Sequence, residues 1–155
     1  MIRIEPLAAH PELASELGAL HFAEWGALEP DESVEERAAW LRACPGRGHF
    51  PTGFVAVEGT TLCGSALLVA DDLSLRPDLT PWLAGVYVKP AYRRAGLATK
   101  LVQAIVDEAT AQSRLTLYLY TESSEALYAR LGFRPIERCL FQGKRIVIMK
   151  REQQG

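Results

Sequence analysis

The stretch Trp82-Leu83-Ala84-Gly85-Val86-Tyr87-Val88-Lys89-Pro90-Ala91-Tyr92-Arg93-Arg94-Ala95-Gly96-Leu97-Ala98-Thr99 changes character twice. Its first seven residues are mostly apolar and stop just ahead of Pro90, which suits an interior strand. Past Gly96, residues Ala98, Leu101, Val102, Ile105 and Ala109 fall on one stripe, with Lys100, Gln103, Asp107 and Glu108 away from it. That spacing predicts an amphipathic helix of about three turns. Between strand and helix lie two arginines and a run of small residues. A helix start leaves backbone N–H groups without partners and carries the positive end of the helix dipole, so it attracts anions. Gly96 and Ala98 keep side-chain bulk away where backbone must approach a ligand, and Arg93 and Arg94 add positive charge. Such a loop suits a diphosphate, although a plain tight turn with solvated arginines would use the same residue types. No Gly-Lys-Ser/Thr ends the loop and no GxGxxG spacing occurs in it, which disfavours ATP and NAD.

Working outward, Ile2-Arg3-Ile4 alternates and stops at Pro6, as a short opening strand would. Leu13, Leu17, Leu20 and Ala23 recur at helical spacing, and Ser33 with Glu36 forms a possible capping box for a second helix over Ala39, Trp40 and Ala43. The acidic link Glu29-Pro30-Asp31-Glu32 should lie exposed. Residues 53–57 and 62–69 read as two strands of a hairpin turning at Glu58-Gly59-Thr60, and a loop from Asp71 to Pro81 leads into the decisive strand. Downstream, residues 115–121 alternate like a strand. Ser123 and Ser124 then offer capping hydroxyls for a short helix ending at Gly132, and residues 136–141 and 145–149 form a closing hairpin around Gln142-Gly143-Lys144.

The 155 residues suffice for one core, and 48% hydrophobic with 23% charged residues is the balance of a globular chain. A net charge of −2 argues against a phosphate-backbone surface, so no nucleic-acid partner is expected. Cys44, Cys63 and Cys139 have no metal-like spacing and read as free thiols filling the core; no metal is expected. The start Met1-Ile-Arg-Ile-Glu-Pro has no secretion-signal pattern, and no apolar run reaches the ~20 residues that span a bilayer. The expectation is a cytoplasmic protein with no membrane partner.

Arg93-x-x-Gly96-x-Ala98, set between strand and helix, resembles the Q/R-x-x-G-x-G/A acyl-CoA motif of the GNAT superfamily. Ala126-Leu127-Tyr128-Ala129-Arg130-Leu131-Gly132-Phe133 resembles that family's closing A-x-x-L-Y-x-x-L-G-F region. The order of elements is also similar, and the resemblance is strongest from about residue 82 to 133. It implies one acyl-CoA N-acyltransferase domain over residues 1–155, of mixed α/β class. Its mostly antiparallel twisted sheet would have about seven strands flanked by about four helices.

The resemblance further implies acetyl-CoA as cofactor, with its diphosphate on Arg93, Arg94, Ala95, Gly96, Leu97, Ala98 and Thr99. The pantetheine arm would lie along the backbone of Val86, Tyr87 and Val88, and Thr121 would stand where many relatives carry a cofactor-holding Asn. Tyr128 would be the catalytic acid beside the sulfur. Relatives often place a Glu on the strand before the loop, but Leu83-Ala84-Gly85-Val86 has no titratable side chain. Glu24, His21 and Glu122 remain as water-relayed bases. The missing carboxylate favours an α-amine, whose neutralisation near pH 7 costs ~1 kcal/mol against ~4–5 for a lysine-type amine. Glycine at 85 suits a bulge that splays the strand.

By the same analogy, the segment His21–Glu29 and the loop 71–79 would wall the acceptor side. Glu24, Trp25 and Glu29 are the candidate substrate contacts, within an acidic excess that includes Asp31, Glu32, Asp71, Asp72 and Asp78. The expected reaction is acetyl transfer to a primary amine of a small molecule or peptide terminus by direct attack in a ternary complex. An acyl-CoA-binding regulatory module, or a dimerisation domain, would keep the same fold without turnover. A homodimer is left open.

Overall fold

The computed structural model describes residues 1–153. The chain runs β1 (Ile2–Pro6), α1 (Ala14–Trp25), α2 (Val34–Ala43), β2 (Thr52–Glu58), β3 (Thr61–Val69) and β4 (Trp82–Val88). It continues through α3 (Leu97–Ala111), β5 (Thr116–Thr121), α4 (Glu125–Arg130), β6 (Arg134–Phe141) and β7 (Lys144–Glu152). The strands form one sheet in the order β1-β2-β3-β4-β5-β7-β6, in which only the β4–β5 neighbours run parallel. This is the mixed α/β fold expected, with seven strands and four α-helices among the described residues.

Strand alternation sorts the apolar side chains into two cores, one per face. Phe54, Ala56, Ala66 and Leu68 pack with Leu101, Val102 and Ile105 of α3. Val55, Val57, Leu67 and Val69 pack with Leu17 of α1 and Leu41 of α2. A bulge between Ser65 and Leu67 in the β3–β4 pairing re-aims β4, and Gly85 there has φ +57. A Cβ at Gly85 would lie 2.9 Å from Leu67 Cδ1 and 3.1 Å from His21 Cε1, so both conformation and space require glycine.

The start of α2 carries the expected capping box. Ser33 Oγ accepts from the Glu36 N–H at 3.1 Å while Glu36 Oε1 accepts from the Ser33 N–H at 2.9 Å. Two local expectations are corrected. Glu108, expected away from the apolar stripe, is 4% exposed. Its Oε2 accepts from the Gly48 N–H at 2.7 Å and from Gln112 Nε2 at 2.8 Å, and Arg47 lies 3.5 Å from Oε1. These donors offset the desolvation that would otherwise keep a carboxylate outside. At α4, Ser123 and Ser124 make no side-chain cap; Thr121 Oγ1 instead accepts from the Ser124 N–H at 3.0 Å. Cys44 and Cys63 are buried and Cys139 partly so, all as free thiols.

Candidate active site

β4 and β5 pair at a single position, Trp82 with Tyr118, helped by a bond from the Tyr118 N–H to the Pro81 carbonyl at 3.0 Å. Beyond it the two parallel strands diverge, and the gap opens toward the start of α3. Two hollows occupy this split. The smaller, about 320 Å³, is lined by Val88, Tyr92, Arg93, Arg94, Gly96, Leu97, Ala98 and Thr99, and across the gap by Leu127 and Arg130 of α4. The larger, about 690 Å³, is lined by Gly85 and Val86 of β4, Tyr120 and Thr121 of β5, Tyr128 of α4, and by parts of α1, α2 and the β3–β4 loop.

At the smaller hollow Arg94 (φ +66) and Gly96 (φ +75) both adopt the left-handed conformation, which turns successive N–H groups toward one side. Leu97, Ala98 and Thr99 are the first three residues of α3, whose N–H groups have no intrahelical acceptor. The first loop–helix bond is from the Lys100 N–H to the Gly96 carbonyl at 3.2 Å. The N–H groups of Arg94, Ala95, Gly96, Leu97, Ala98 and Thr99 therefore make no hydrogen bond among the described residues. The Arg93 N–H is spent on the Pro90 carbonyl at 3.3 Å. Arg93 Nε also donates to the Val88 carbonyl at 2.8 Å, and its guanidinium stands 5.8 Å from the Tyr87 ring centroid. Its charge is thus tied to the end of β4. Ala95 lies on the exposed crest and lines neither hollow.

In the larger hollow, Tyr128 is 8% exposed; its hydroxyl makes no hydrogen bond to the described residues and is not a fully buried, unpartnered atom, so it reaches the hollow. α4 ends through Gly132 (φ +94), with the Phe133 N–H reaching back to the Tyr128 carbonyl at 3.0 Å and the Phe133 ring edge-on to Tyr128 at 6.0 Å. This closure fixes the tyrosine's backbone at the split. Burial pushes its phenol up to about 12, so it stays protonated at neutral pH.

Glu24, Trp25 and Glu29 all line the larger hollow, as do Thr121 and Glu122; Val86 lines it too, whereas Val88 lines the smaller. His21 to Trp25 are the last turns of α1 rather than a connecting segment, which stops at a short 3-10 turn over Gly26–Leu28. Trp25 sits edge-on to His21 at 5.2 Å and to Tyr87 at 6.3 Å, which fixes its ring. Asp78 is drawn away by a salt bridge to Arg76 at 2.9 Å.

His21 is corrected as a base. It is 2% exposed, and both ring nitrogens are engaged. Arg37 donates to Nδ1 from Nε at 3.3 Å and from Nη2 at 3.0 Å, so the ring proton is on Nε2. Nε2 donates to Ser65 Oγ at 2.9 Å, and Ser65 Oγ donates to the Gly85 carbonyl at 2.7 Å. Burial, with the guanidinium beside it, lowers the imidazole to about 3, so it is neutral throughout the physiological range.

Sequence reasoning treated Asp72 only as part of an acidic excess and passed over Arg37. Asp72 lines the larger hollow, where burial, against the pull of Arg37 and with a push from Glu29, raises its carboxyl to about 7. Glu29 is raised in the same direction by burial and Glu32, and the Tyr120 phenol by burial, Asp72 and Glu29. One signal was available for Arg37: it is the first Lys or Arg after Arg3.

Solved structures share this fold, with its sheet split beside a helix start. The yncA protein of Salmonella typhimurium, solved with its cofactor acetyl-CoA, superposes with a TM-score of 0.72 at 18% identity, over 100% of this chain and 95% of that one. An aminoglycoside 6'-N-acetyltransferase complexed with coenzyme A gives 0.74 at 17% identity, over 98% and 96%. A GNAT-family acetyltransferase of Streptococcus pneumoniae gives 0.71 at 18%, over 99% and 100%. No curated protein matches in sequence. The model of the acetyltransferase (GNAT) family matches residues 14–133, and the chain belongs to that family. Among the described residues no helix is long and apolar enough to cross a membrane, and no group of three or more His, Cys, Asp or Glu side chains could hold a metal ion.

Proposed function

We propose that this chain transfers the acetyl group of acetyl-CoA to a primary amine of a small molecule or peptide terminus by direct attack in a ternary complex. The observation that carries the reading is the run of six unbonded amides, Arg94 to Thr99, at the mouth of the β4–β5 split. These donors, with Arg94 and Arg130 beside them, fit a diphosphate. The part-buried β4 edge from Val86 to Val88, which past Trp82 has no pairing to β5, fits an amide-bearing arm running on toward Tyr128, and Thr121 lines the same hollow. Acetyl-CoA supplies an acetyl group activated as a thioester.

The chain's residues supply the proton handling. Asp72, near 7, is matched to removing a proton from an ammonium at neutral pH, and takes the role that β4 leaves empty. The Tyr128 hydroxyl is the donor beside the sulfur. Full transfer from a phenol near 12 to a thiolate of pKa about 8.5 runs uphill by roughly 5 kcal/mol. Tyr128 Oη therefore hydrogen-bonds the departing sulfur and passes on a proton only as it accepts one from the amine nitrogen. Glu24, Trp25 and Glu29 bound the acceptor.

Thermal unfolding with and without acetyl-CoA tests the first half. At a hundred times the dissociation constant, stabilisation should be ~2.7 kcal/mol, and no shift would remove the proposal. Release of free thiol over an amine panel tests the second half; binding without any turnover would leave a cofactor-binding module.

A further inference from the structure

The larger hollow holds one cation among its acids. Arg37 lines it with Glu29, Glu32 and Asp72, yet none of their carboxylates is in ion-pair contact with the guanidinium. Its hydrogen bonds go to one neutral acceptor, the Nδ1 lone pair of His21, shared by Nε and Nη2. Beyond His21 the chain of donors runs through Ser65 to the Gly85 carbonyl, so every link is uncharged. The guanidinium stands over the Trp40 ring, 5.5 Å from its centroid. The protein therefore fixes this cation in place without neutralising it. His21 takes one N–H each from Nε and Nη2, so both N–H groups of Nη1 and the second N–H of Nη2 have no protein partner, and Nη1 is not a buried unpartnered atom. Together these N–H groups form an edge that grips a carboxylate with two parallel bonds.

We propose that Arg37 anchors a carboxylate of the acetyl acceptor, which makes the acceptors zwitterionic amino acids rather than plain amines or polyamines. The inference rests on the acetyl-transfer reading and names its substrate class. An amino acid satisfies both signs in the hollow. Its carboxylate meets the open guanidinium edge, and its ammonium meets Asp72 and Glu29, which no lysine or arginine pairs. A polyamine would satisfy the acids alone and leave the partly buried guanidinium without a counter-ion.

The test compares the common amino acids with their carboxamides as acceptors for the full chain, reading thiol released from acetyl-CoA. The best amino acid should lose roughly 10²-fold in kcat/KM as its carboxamide. Arg37→Gln should lower kcat/KM for the amino acid far more than for the carboxamide, mainly through KM, so that the preference between the two acceptors collapses; Arg37→Lys should recover only part of that preference. Carboxamides or simple amines that react as well as the amino acids would overturn the inference. So would an Arg37→Gln loss equal for both acceptors, which would mean that the residue only holds His21. Absence of turnover with either series, while acetyl-CoA still raises Tm, also overturns it and leaves the cofactor reading standing; absence of that Tm shift in the unaltered chain removes the cofactor reading itself. If Arg37→Gln fails to fold, the two acceptor series on the unaltered chain still decide.

Discussion

Replacing Asp72 by Asn separates a desolvated base from a merely acidic lining residue, because it should make the protein more stable and less active. The carboxyl rises from 3.8 to about 7 on folding, so between those values the native state holds a proton that the unfolded state has released. Stability contributed by this group is then highest below pH 4, falls as pH climbs to 7, and is flat beyond. About three pKa units correspond to at most ~4 kcal/mol, and the partial access of water to the side chain brings this to ~1–2 kcal/mol. For a domain of this size, Asp72→Asn should raise Tm by about 3–6 °C at pH 8 and by under about 1 °C at pH 4. His21 titrates in the opposite sense. Its pKa is depressed to about 3, so it contributes stability above 6.5 that is lost as pH falls. The difference between variant and unaltered chain, not either curve alone, isolates Asp72. Calorimetry from pH 4 to 9 reads the stability, and thiol release reads the chemistry. Turnover at pH 7 should fall about 10²–10⁴-fold and recover partly at pH 9 as the acceptor deprotonates unaided. A Tm difference independent of pH would show that the carboxyl is not desolvated, and unimpaired turnover would show that it is not the base.

Tyr128→Phe should slow turnover by about 10² at pH 7 while acetyl-CoA affinity, measured by calorimetric titration, stays within about twofold; Tm should barely move, since the hydroxyl bonds to nothing in the protein. Glu108→Ala removes the acceptor of the Gly48 N–H and of Gln112, so it should cost about 2 kcal/mol in denaturant unfolding. KM for acetyl-CoA should be unchanged, because Glu108 lines neither hollow.

How much could be read from the chain depends on whether the relevant interactions are local. The β4–loop–α3 passage was legible because a change of hydrophobic period and a glycine at the turn are both written in consecutive residues. The capping box at Ser33 and Glu36 was legible for the same reason. Glu108 was misread because a charge at the margin of a stripe looks solvated until Gly48, 60 residues earlier, arrives to donate to it. At the start of α4 the hydroxyl that bonds the backbone is that of Thr121, at the end of β5, which accepts from the Ser124 N–H, while the two serines cap nothing. The acceptor side was hardest. Arg37, His21, Ser65 and Asp72 come from α2, α1, β3 and the loop after β3, and no spacing in sequence announces that the β4–β5 split gathers them.

That gathering has a single physical pivot. Gly85 lies at the β3–β4 bulge, on the stretch of β4 that no longer pairs with β5. Its carbonyl receives the Ser65 hydroxyl proton, and His21 Cε1 lies where its Cβ would be. The imidazole can press against β4 only because residue 85 lacks a side chain, and only from there can Nδ1 face Arg37 while Nε2–H faces Ser65. On the proposed reading, the glycine beside the acyl-carrier slot is therefore also the one that lets His21 orient the cation on the acceptor side. A chain of uncharged links between them resists changes of pH, since its histidine stays neutral down to about pH 3. Titration near neutrality is left to Asp72, so on the proposed reading proton removal follows pH while the His21–Arg37 geometry that positions the acceptor does not.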